Sequence, residues 1–157
     1  MPGAGAPPSA PQIILAFDYG TRRIGIASGD TLTRTARALT TLQCSPDIPW
    51  NHIDRLIQEY RPAQFVVGLP YNMDDTPTLL TEASRTFANE LQSRYNLPVA
   101  LVDERLSSRE ASEQIRDARS RGLKRKRATR EDVDMIAAKI LLEQWLQNEG
   151  LNGKQTE

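Results

Sequence analysis

Carboxylates directly follow two apolar, strand-like segments of this 157-residue chain. Asp18 follows residues 13–17, while Asp103 and Glu104 follow residues 99–102. Acids that are brought together repel one another unless a cation or a proton compensates their charge. Mg²⁺ or Mn²⁺ would provide this charge, because these ions are bound by carboxylates, waters and substrate phosphates. Two such ions could orient a water and stabilise the leaving oxygen of a phosphodiester.

The rest of the composition favours chemistry with oxygen ligands. The chain has one cysteine, Cys44, and one histidine, His52. These counts exclude an internal disulfide framework and a CxxC metal site, and they disfavour a histidine-based triad or zinc centre. His52 lies off the apolar face of its predicted helix, so we interpret it as solvent-exposed. The formal net charge is zero, so any affinity for nucleic acid must come from a local patch.

The elements that would position these acids follow from apolar periodicity. Three segments resemble the strands of an antiparallel meander: residues 13–18, 23–28 and 33–42. Helices and strands then alternate: helix 50–60, strand 64–69, a helix capped by Thr76 with Pro77 in its first turn, and strand 99–103. Right-handed crossovers would make strands four and five parallel to strand one. We therefore predict an α/β fold with a mixed five-stranded sheet, order 3-2-1-4-5, and helices on both faces.

In such a sheet, strands one, four and five end at one edge, where open α/β folds usually carry their sites. Four polar side chains follow those strand ends: Asp18, Asn72, Asp74 and Glu104. Asp103 and Glu104 should point to opposite faces, so at most one of them faces the site. These acids also have structural interpretations: Asp18 could shape a hairpin turn, and Asp74 could be an ordinary loop acid.

The final predicted helix, residues 129–148, supplies a further acid. Its apolar stripe is predicted to consist of Val133, Ile136, Ala137, Ile140 and Leu141. Asp132 stands three residues after Thr129, which is the spacing of a capping box. Asp134 instead shares its side of the helix with Ala138 and Trp145, and a partly buried carboxylate needs a partner. We therefore interpret Asp132 as the cap and Asp134 as the functional acid.

Cations are concentrated in residues 116–130, which contain eight lysines and arginines against one acid. Such a segment is commonly a solvated loop, but this one leads into the helix that carries Asp134. Beside a metal site it would bind phosphates by releasing counterions. We predict contacts to nucleic acid from Arg22, Arg23, Asn72, Arg105, Lys124, Arg125, Lys126, Arg127 and Arg130. Nothing indicates base reading, so we expect recognition of the backbone or shape of structured nucleic acid.

The organisation of the chain indicates one domain, residues 12–148. Residues 1–11 are rich in proline, glycine and alanine and lack the features of a signal peptide, so we expect a disordered tail. We expect residues 149–157 to form a flexible tail. No apolar run approaches the roughly 20 residues that span a bilayer. These features predict a cytoplasmic protein without a membrane partner.

Four segments in order resemble the YqgF family, whose members are described as pre-16S ribosomal RNA nucleases and Holliday junction resolvases. They are FDYGTRRIG at 17–25, VGLPYNMD at 67–74, DERLSS at 103–108 and VDMIAA at 133–138. The resemblance covers about residues 12–147 and implies an RNase H-like fold. It also implies that Asp18, Glu104 and Asp134 are the catalytic, metal-binding acids, which selects Glu104 over Asp103.

The resemblance implies a metal-dependent endonuclease that processes the 5′ end of pre-16S rRNA with Mg²⁺ or Mn²⁺. Resolution of branched DNA is the nearest alternative, and a monomer or a homodimer is possible. The sequence Asp-x-Gly-Thr at 18–21 also occurs in phosphate loops of sugar kinases and actin-like ATPases, but those enzymes need a second domain to close over nucleotide. A non-catalytic RNA-binding or transcription-associated factor is the third interpretation.

Overall fold

The computed structural model of the chain describes residues 11–44, 46–70, 74, 76–103 and 129–152. These residues form five strands and three helices. The strands are β1 (Ile13–Tyr19), β2 (Arg23–Asp30), β3 (Thr35–Gln43), β4 (Gln64–Leu69) and β5 (Val99–Asp103). The helices are α1 (Trp50–Tyr60), α2 (Leu79–Tyr95) and α3 (Arg130–Asn152). None of these described helices combines the length and the apolarity that a bilayer span requires.

The sheet has the predicted order, β3-β2-β1-β4-β5. The meander β1–β2–β3 is antiparallel, and β4 pairs in parallel with both β1 and β5. The α/β fold and its mixed sheet are therefore confirmed. Because β1, β4 and β5 run in the same direction, their carboxyl ends lie at one edge of the sheet.

One face of the sheet packs against α1 and α2. Phe17 of β1 lies between Phe65 of β4 and Phe87 of α2, with ring centroids 5.7 and 5.5 Å apart in edge-on contact. Ile53 of α1 and Leu91 of α2 are fully buried in the same cluster. Each such side chain contributes about 1.5–3 kcal/mol on burial, so this cluster fixes the two helices against the central strands.

The opposite face packs against α3 alone among the described helices. Its core joins Ile14, Ala16, Ala27 and Val66 of the sheet to Ala138, Leu141, Leu142 and Leu146 of the helix. The predicted apolar stripe was therefore partly wrong, because Val133 and Ile136 are only half-buried. The face that contacts the sheet follows Ala138 and Leu141, and Asp134 lies one turn before Ala138. This orientation brings the carboxylate of Asp134 to the edge of the helix–sheet interface.

Several predicted boundaries differ from the observed ones. The strand predicted at 23–28 continues to Asp30, and α3 continues four residues beyond residue 148. The cap of α2 is Thr78 rather than Thr76. Thr78 Oγ1 accepts from the backbone nitrogen of Thr81 at 3.1 Å, and the Thr81 hydroxyl accepts from the backbone nitrogen of Thr78 at 2.8 Å. Thr76 instead donates both its backbone N–H and its hydroxyl to Asp74.

Tyr95 links the two helices on the first face and gives a prediction about stability. Its hydroxyl donates to Asp54 of α1, and its ring contacts Phe65 edge-on at 5.9 Å. Burial first, and then the bond to Asp54, raise the pKa of Tyr95 to about 12. We expect Tyr95→Phe to lower the free energy of unfolding at pH 7 by about 1 kcal/mol, because one hydrogen bond is lost.

The pH dependence of this effect has a definite sign. The folded protein holds the phenolic proton more tightly than the unfolded chain, whose tyrosine titrates near 10. The stabilisation is therefore complete below pH 10 and is lost as the pH rises towards 12. Urea unfolding of wild type and Tyr95→Phe at pH 7, 10 and 11.5 measures it. Equal alkaline losses in both proteins would contradict the assignment to Tyr95.

Candidate active site

Asp18 lies on the α3 face of the central strand, one residue before β1 ends. Ile14 and Ala16 of the same strand belong to the α3 core, and side chains alternate along a strand, so Asp18 shares their face. It is half-buried, whereas the apolar residues before it are fully enclosed. The strand thus emerges from the core at this carboxylate, at the edge that β1 shares with β4 and β5.

Gly25 brings Asp18 and Asp134 together. It is the cross-strand partner of Asp18 on β2. A Cβ atom added to Gly25 would lie 2.1 Å from the carbonyl oxygen of Asp134 and 3.0 Å from its Cβ. The backbone of α3 therefore rests directly on β2 at this glycine, and directly opposed residues in such a ladder have Cα atoms only about 4.5–5.5 Å apart. Two of the three predicted metal-binding acids are thus neighbours, although 116 positions separate 18 from 134.

Arg23 forms an ion pair with Asp134. Its Nε donates to Oδ2 of the carboxylate at 2.7 Å, and the two side chains are 22% and 24% exposed. In the described structure Arg23 compensates the charge of a predicted metal ligand. A short, partly enclosed bond of this kind is charge-assisted and is screened less than a pair at the open surface. The predicted contact of Arg23 with nucleic acid stays a prediction.

The first turn of α3 is fixed by contacts that do not involve Asp134. Thr129 and Asp132 form the predicted capping box, with Asp132 Oδ2 accepting from the Thr129 backbone at 3.0 Å and Thr129 Oγ1 accepting from the Asp132 backbone at 3.1 Å. From β3, Thr41 donates its hydroxyl to the carbonyl of Glu131 at 2.9 Å, and Gln43 donates to the Glu131 carboxylate at 3.1 Å. The interpretation of Asp132 as a cap is confirmed.

The turn after Asp18 is held by Gly20 and Cys44. The Gly20 backbone donates to the carbonyl of Arg23 at 2.9 Å, and the Cys44 thiol donates to the carbonyl of Gly20 at 3.1 Å. Burial raises the pKa of the Cys44 thiol, and nearby Arg23 opposes that rise. The sequence pattern did not predict this role for Cys44. No sequence spacing links Cys44 to Gly20, because their contact depends on where the end of β3 lies relative to the turn.

Asp103 lies on the wrong face for this site. Ala100 and Val102 of β5 pack against the α3 core, so the intervening odd positions face the other side of the sheet. Asp103 therefore faces away from the side of the sheet that carries Asp18 and Asp134. Glu104 itself lies outside the described residues, and its place in the site stays a prediction. Within the part of the chain that the structure describes, no group of three potential metal ligands occurs.

Some of the predicted nucleic-acid contacts lie within the described residues and others lie outside them. Arg22 is exposed in the turn after Asp18, and Arg130 is exposed one helical turn before Asp134. Both could reach a phosphate near the two acids. The remaining predicted contacts lie outside the described residues: Asn72, Arg105, Lys124, Arg125, Lys126 and Arg127. Their roles stay predictions. His52 is exposed on α1, as expected.

A mixed five-stranded sheet of order β3-β2-β1-β4-β5, with helices on both faces, has an RNase H-like architecture. The chain belongs to the RuvX (YqgF) family, described as Holliday junction resolvase, whose model matches residues 12–148. It is 47% identical over 136 residues to a Haemophilus ducreyi protein named "Putative pre-16S rRNA nuclease", covering 86% of this chain and 96% of that protein. An Azotobacter vinelandii protein of the same name is 43% identical over 140 residues, covering 88% and 95%.

Solved structures agree on the fold. Thermus thermophilus RuvC in complex with a Holliday junction substrate superposes with a TM-score of 0.56 at 15% identity, covering 88% of this chain and 96% of that one. The yeast mitochondrial Holliday junction resolvase Ydc2 gives a TM-score of 0.55 at 8% identity, covering 90% and 80%. The predicted RNase H-like fold and the predicted family are therefore confirmed.

Proposed function

We propose that the protein is a metal-dependent endonuclease that hydrolyses phosphodiester bonds in structured nucleic acid. The observation that carries this proposal is the meeting of Asp18 and Asp134 across Gly25, at the edge where the parallel strands end. Two partly enclosed carboxylates on neighbouring residues repel each other unless cations compensate them. Arg23 supplies one positive charge, so a metal ion is needed to complete the balance once a third acid joins.

The donor set fits a hard divalent ion. Asp18, Asp134 and, by prediction, Glu104 offer only oxygen ligands, which suit Mg²⁺ or Mn²⁺. When bound, the metal would polarise the phosphodiester and lower the pKa of an attacking water. The protein contributes fixed positions for the acids. Asp18 is set by the central strand and the Gly20 turn, and Asp134 is set by the close contact of α3 with Gly25.

The cations around the acids support a nucleic-acid substrate. Arg22 is exposed in the turn after Asp18, Arg130 is exposed one helical turn before Asp134, and the chain as a whole carries no net charge. Phosphate binding would therefore be local, through these two residues and the predicted contacts Asn72, Arg105, Lys124, Arg125, Lys126 and Arg127. Such contacts position a substrate backbone without reading its bases, which suits a structured substrate.

The favoured substrate is the 5′ end of pre-16S rRNA, in line with the names of relatives that are 43–47% identical over nearly their whole length. This role would place the protein in the cytoplasm. The description of the family model favours a second candidate, cleavage of four-way DNA junctions. A resolvase must cut two strands symmetrically, so that candidate needs a two-fold dimer on the junction.

Cleavage of labelled substrates distinguishes these candidates. A pre-16S rRNA fragment with its 5′ extension and a four-way DNA junction are incubated with the full chain and Mg²⁺, Mn²⁺ or a chelator. We expect cleavage of the rRNA fragment that requires metal and stops with the chelator. Junction cleavage alone, by a dimer, would establish the second candidate. Cleavage of neither substrate under any metal would contradict the nuclease proposal and favour a non-catalytic RNA-binding factor.

A further inference from the structure

The ion pair between Arg23 and Asp134 places a permanent cation beside one of the two neighbouring acids. We infer that Arg23 is a positioning residue that holds one oxygen of Asp134 and lowers the affinity of the site for divalent metal. This inference rests on the proposed metal-dependent function and deepens it. A metal bound at this site would share Asp134 with the guanidinium of Arg23.

Strand geometry directs Arg23 into the site. Arg23 lies two residues before Gly25 on β2, so both face α3. Its Nε reaches Asp134 Oδ2 at 2.7 Å, with both side chains about three-quarters enclosed. A carboxylate has two oxygens, so Asp134 can accept from Arg23 through Oδ2 and still offer Oδ1 to a metal. Arg23 therefore favours binding of the metal through a single oxygen of Asp134.

Contacts that do not involve Arg23 also hold α3 against the sheet, so the effect of Arg23 on metal binding can be tested without loss of the fold. The N-terminal end of α3 is also fixed by Glu131, which bonds to Thr41 and Gln43, and by the capping box of Thr129 and Asp132. Gly25 and the apolar core position the next turns. Loss of the Arg23 side chain would leave all these contacts in place, so the helix should stay on the sheet.

The direction of the expected effect follows from charge. Coulomb energy scales with the product of the charges, and the metal carries twice the charge of the guanidinium. Both ions would share one carboxylate in a partly enclosed site, where screening is weak. This repulsion should outweigh the loss of one orienting hydrogen bond to Asp134. Removing the charge of Arg23 is therefore expected to tighten metal binding, whereas a residue that only orients Asp134 would weaken it when removed.

Calorimetric titration of the full chain with Mn²⁺ tests the inference. We expect Arg23→Gln to lower the Kd for Mn²⁺ at least tenfold relative to wild type. Arg23→Lys keeps the charge and should stay within about threefold of wild type. Arg37→Gln is the matched control: it removes the same charge from an exposed residue near the opposite end of the β2–β3 pair, and it should change the Kd less than twofold.

Each outcome decides the question. Unchanged or weaker Mn²⁺ binding by Arg23→Gln would overturn the inference and leave the proposed metal site standing. If wild type binds no Mn²⁺, the proposed function fails together with the inference. Circular dichroism checks folding, and Arg23→Met provides a second neutral variant of similar length. If neither neutral variant folds, Arg23 is required for the fold itself and the inference is overturned.

Discussion

Asp134→Asn is expected to abolish metal-dependent cleavage while the domain stays folded. The asparagine keeps an oxygen that can accept from Arg23, so the contact between β2 and α3 persists in weakened form. It loses the negative charge that a divalent metal requires. Changes to residues that merely support metal ligands cost about 10–100-fold, so loss of a ligand charge should cost more than about 100-fold in cleavage rate. Single-turnover cleavage of the pre-16S rRNA fragment at saturating Mg²⁺ measures this loss.

Asp132→Asn is the matched control, because it makes the same chemical change two residues earlier on the same helix. Asp132 completes the capping box with Thr129, so its substitution should weaken the helix start. Asparagine keeps an oxygen that can accept from Thr129 but loses the negative charge in the first turn, so we expect a loss of about 0.3–1 kcal/mol of unfolding free energy, with cleavage by the folded protein retained. If Asp134→Asn cuts as well as Asp132→Asn, Asp134 is not a metal ligand.

Gly25→Ala is expected to have the largest effect on stability. Its Cβ would lie 2.1 Å from the carbonyl oxygen of Asp134, so α3 would have to move away from β2 by more than an ångström at the site itself. Forcing atoms into a packed interface costs about 1–3 kcal/mol and occasionally more, and we expect the upper end of that range. Cleavage should fall as well, because the same movement separates Asp134 from Asp18.

Gly29→Ala is the control for this substitution, on the same strand and the same face. Its added Cβ would meet the Leu142 side chain at 2.8 Å and both Leu146 and the Thr35 carbonyl at 3.0 Å. The ends of the two leucine side chains can shift, so we expect a loss of about 1 kcal/mol and normal cleavage. Urea unfolding measures both variants. Equal losses, or a Gly25→Ala protein that cuts normally, would contradict the close contact at Gly25.

The position of Asp18 could be predicted because local pattern and topology agree there. An apolar run ending in an acid indicates a buried strand reaching solvent, and right-handed crossovers place the parallel strand ends together. The capping role of Asp132 was likewise predictable, since a three-residue spacing determines it. These inferences need only short stretches of sequence and general rules of chain topology.

The contacts that build the site could not be predicted in this way. Arg23 and Asp134 are 111 positions apart in the sequence. Their pairing depends on the position of α3 along β2, which is set by the close contact at Gly25. Apolar residues occupy much of the circumference of α3, so its predicted stripe had no sharp centre and was displaced towards Val133 and Ile136. The cap of α2 was misplaced because Pro77 favours a helix start directly after Thr76, whereas the capping box of Thr78 and Thr81 starts the helix at Leu79.

We propose that Asp18 and Asp134 hold the metal ion that cleavage of nucleic acid requires. The most direct test compares wild type with Asp18→Asn for cleavage of the pre-16S rRNA fragment in Mg²⁺ or Mn²⁺, with folding checked by circular dichroism and RNA binding by mobility shift. We predict that Asp18→Asn folds, binds the RNA and cuts it more than about 100-fold more slowly than wild type. Cleavage at the wild-type rate by the folded variant would contradict the account.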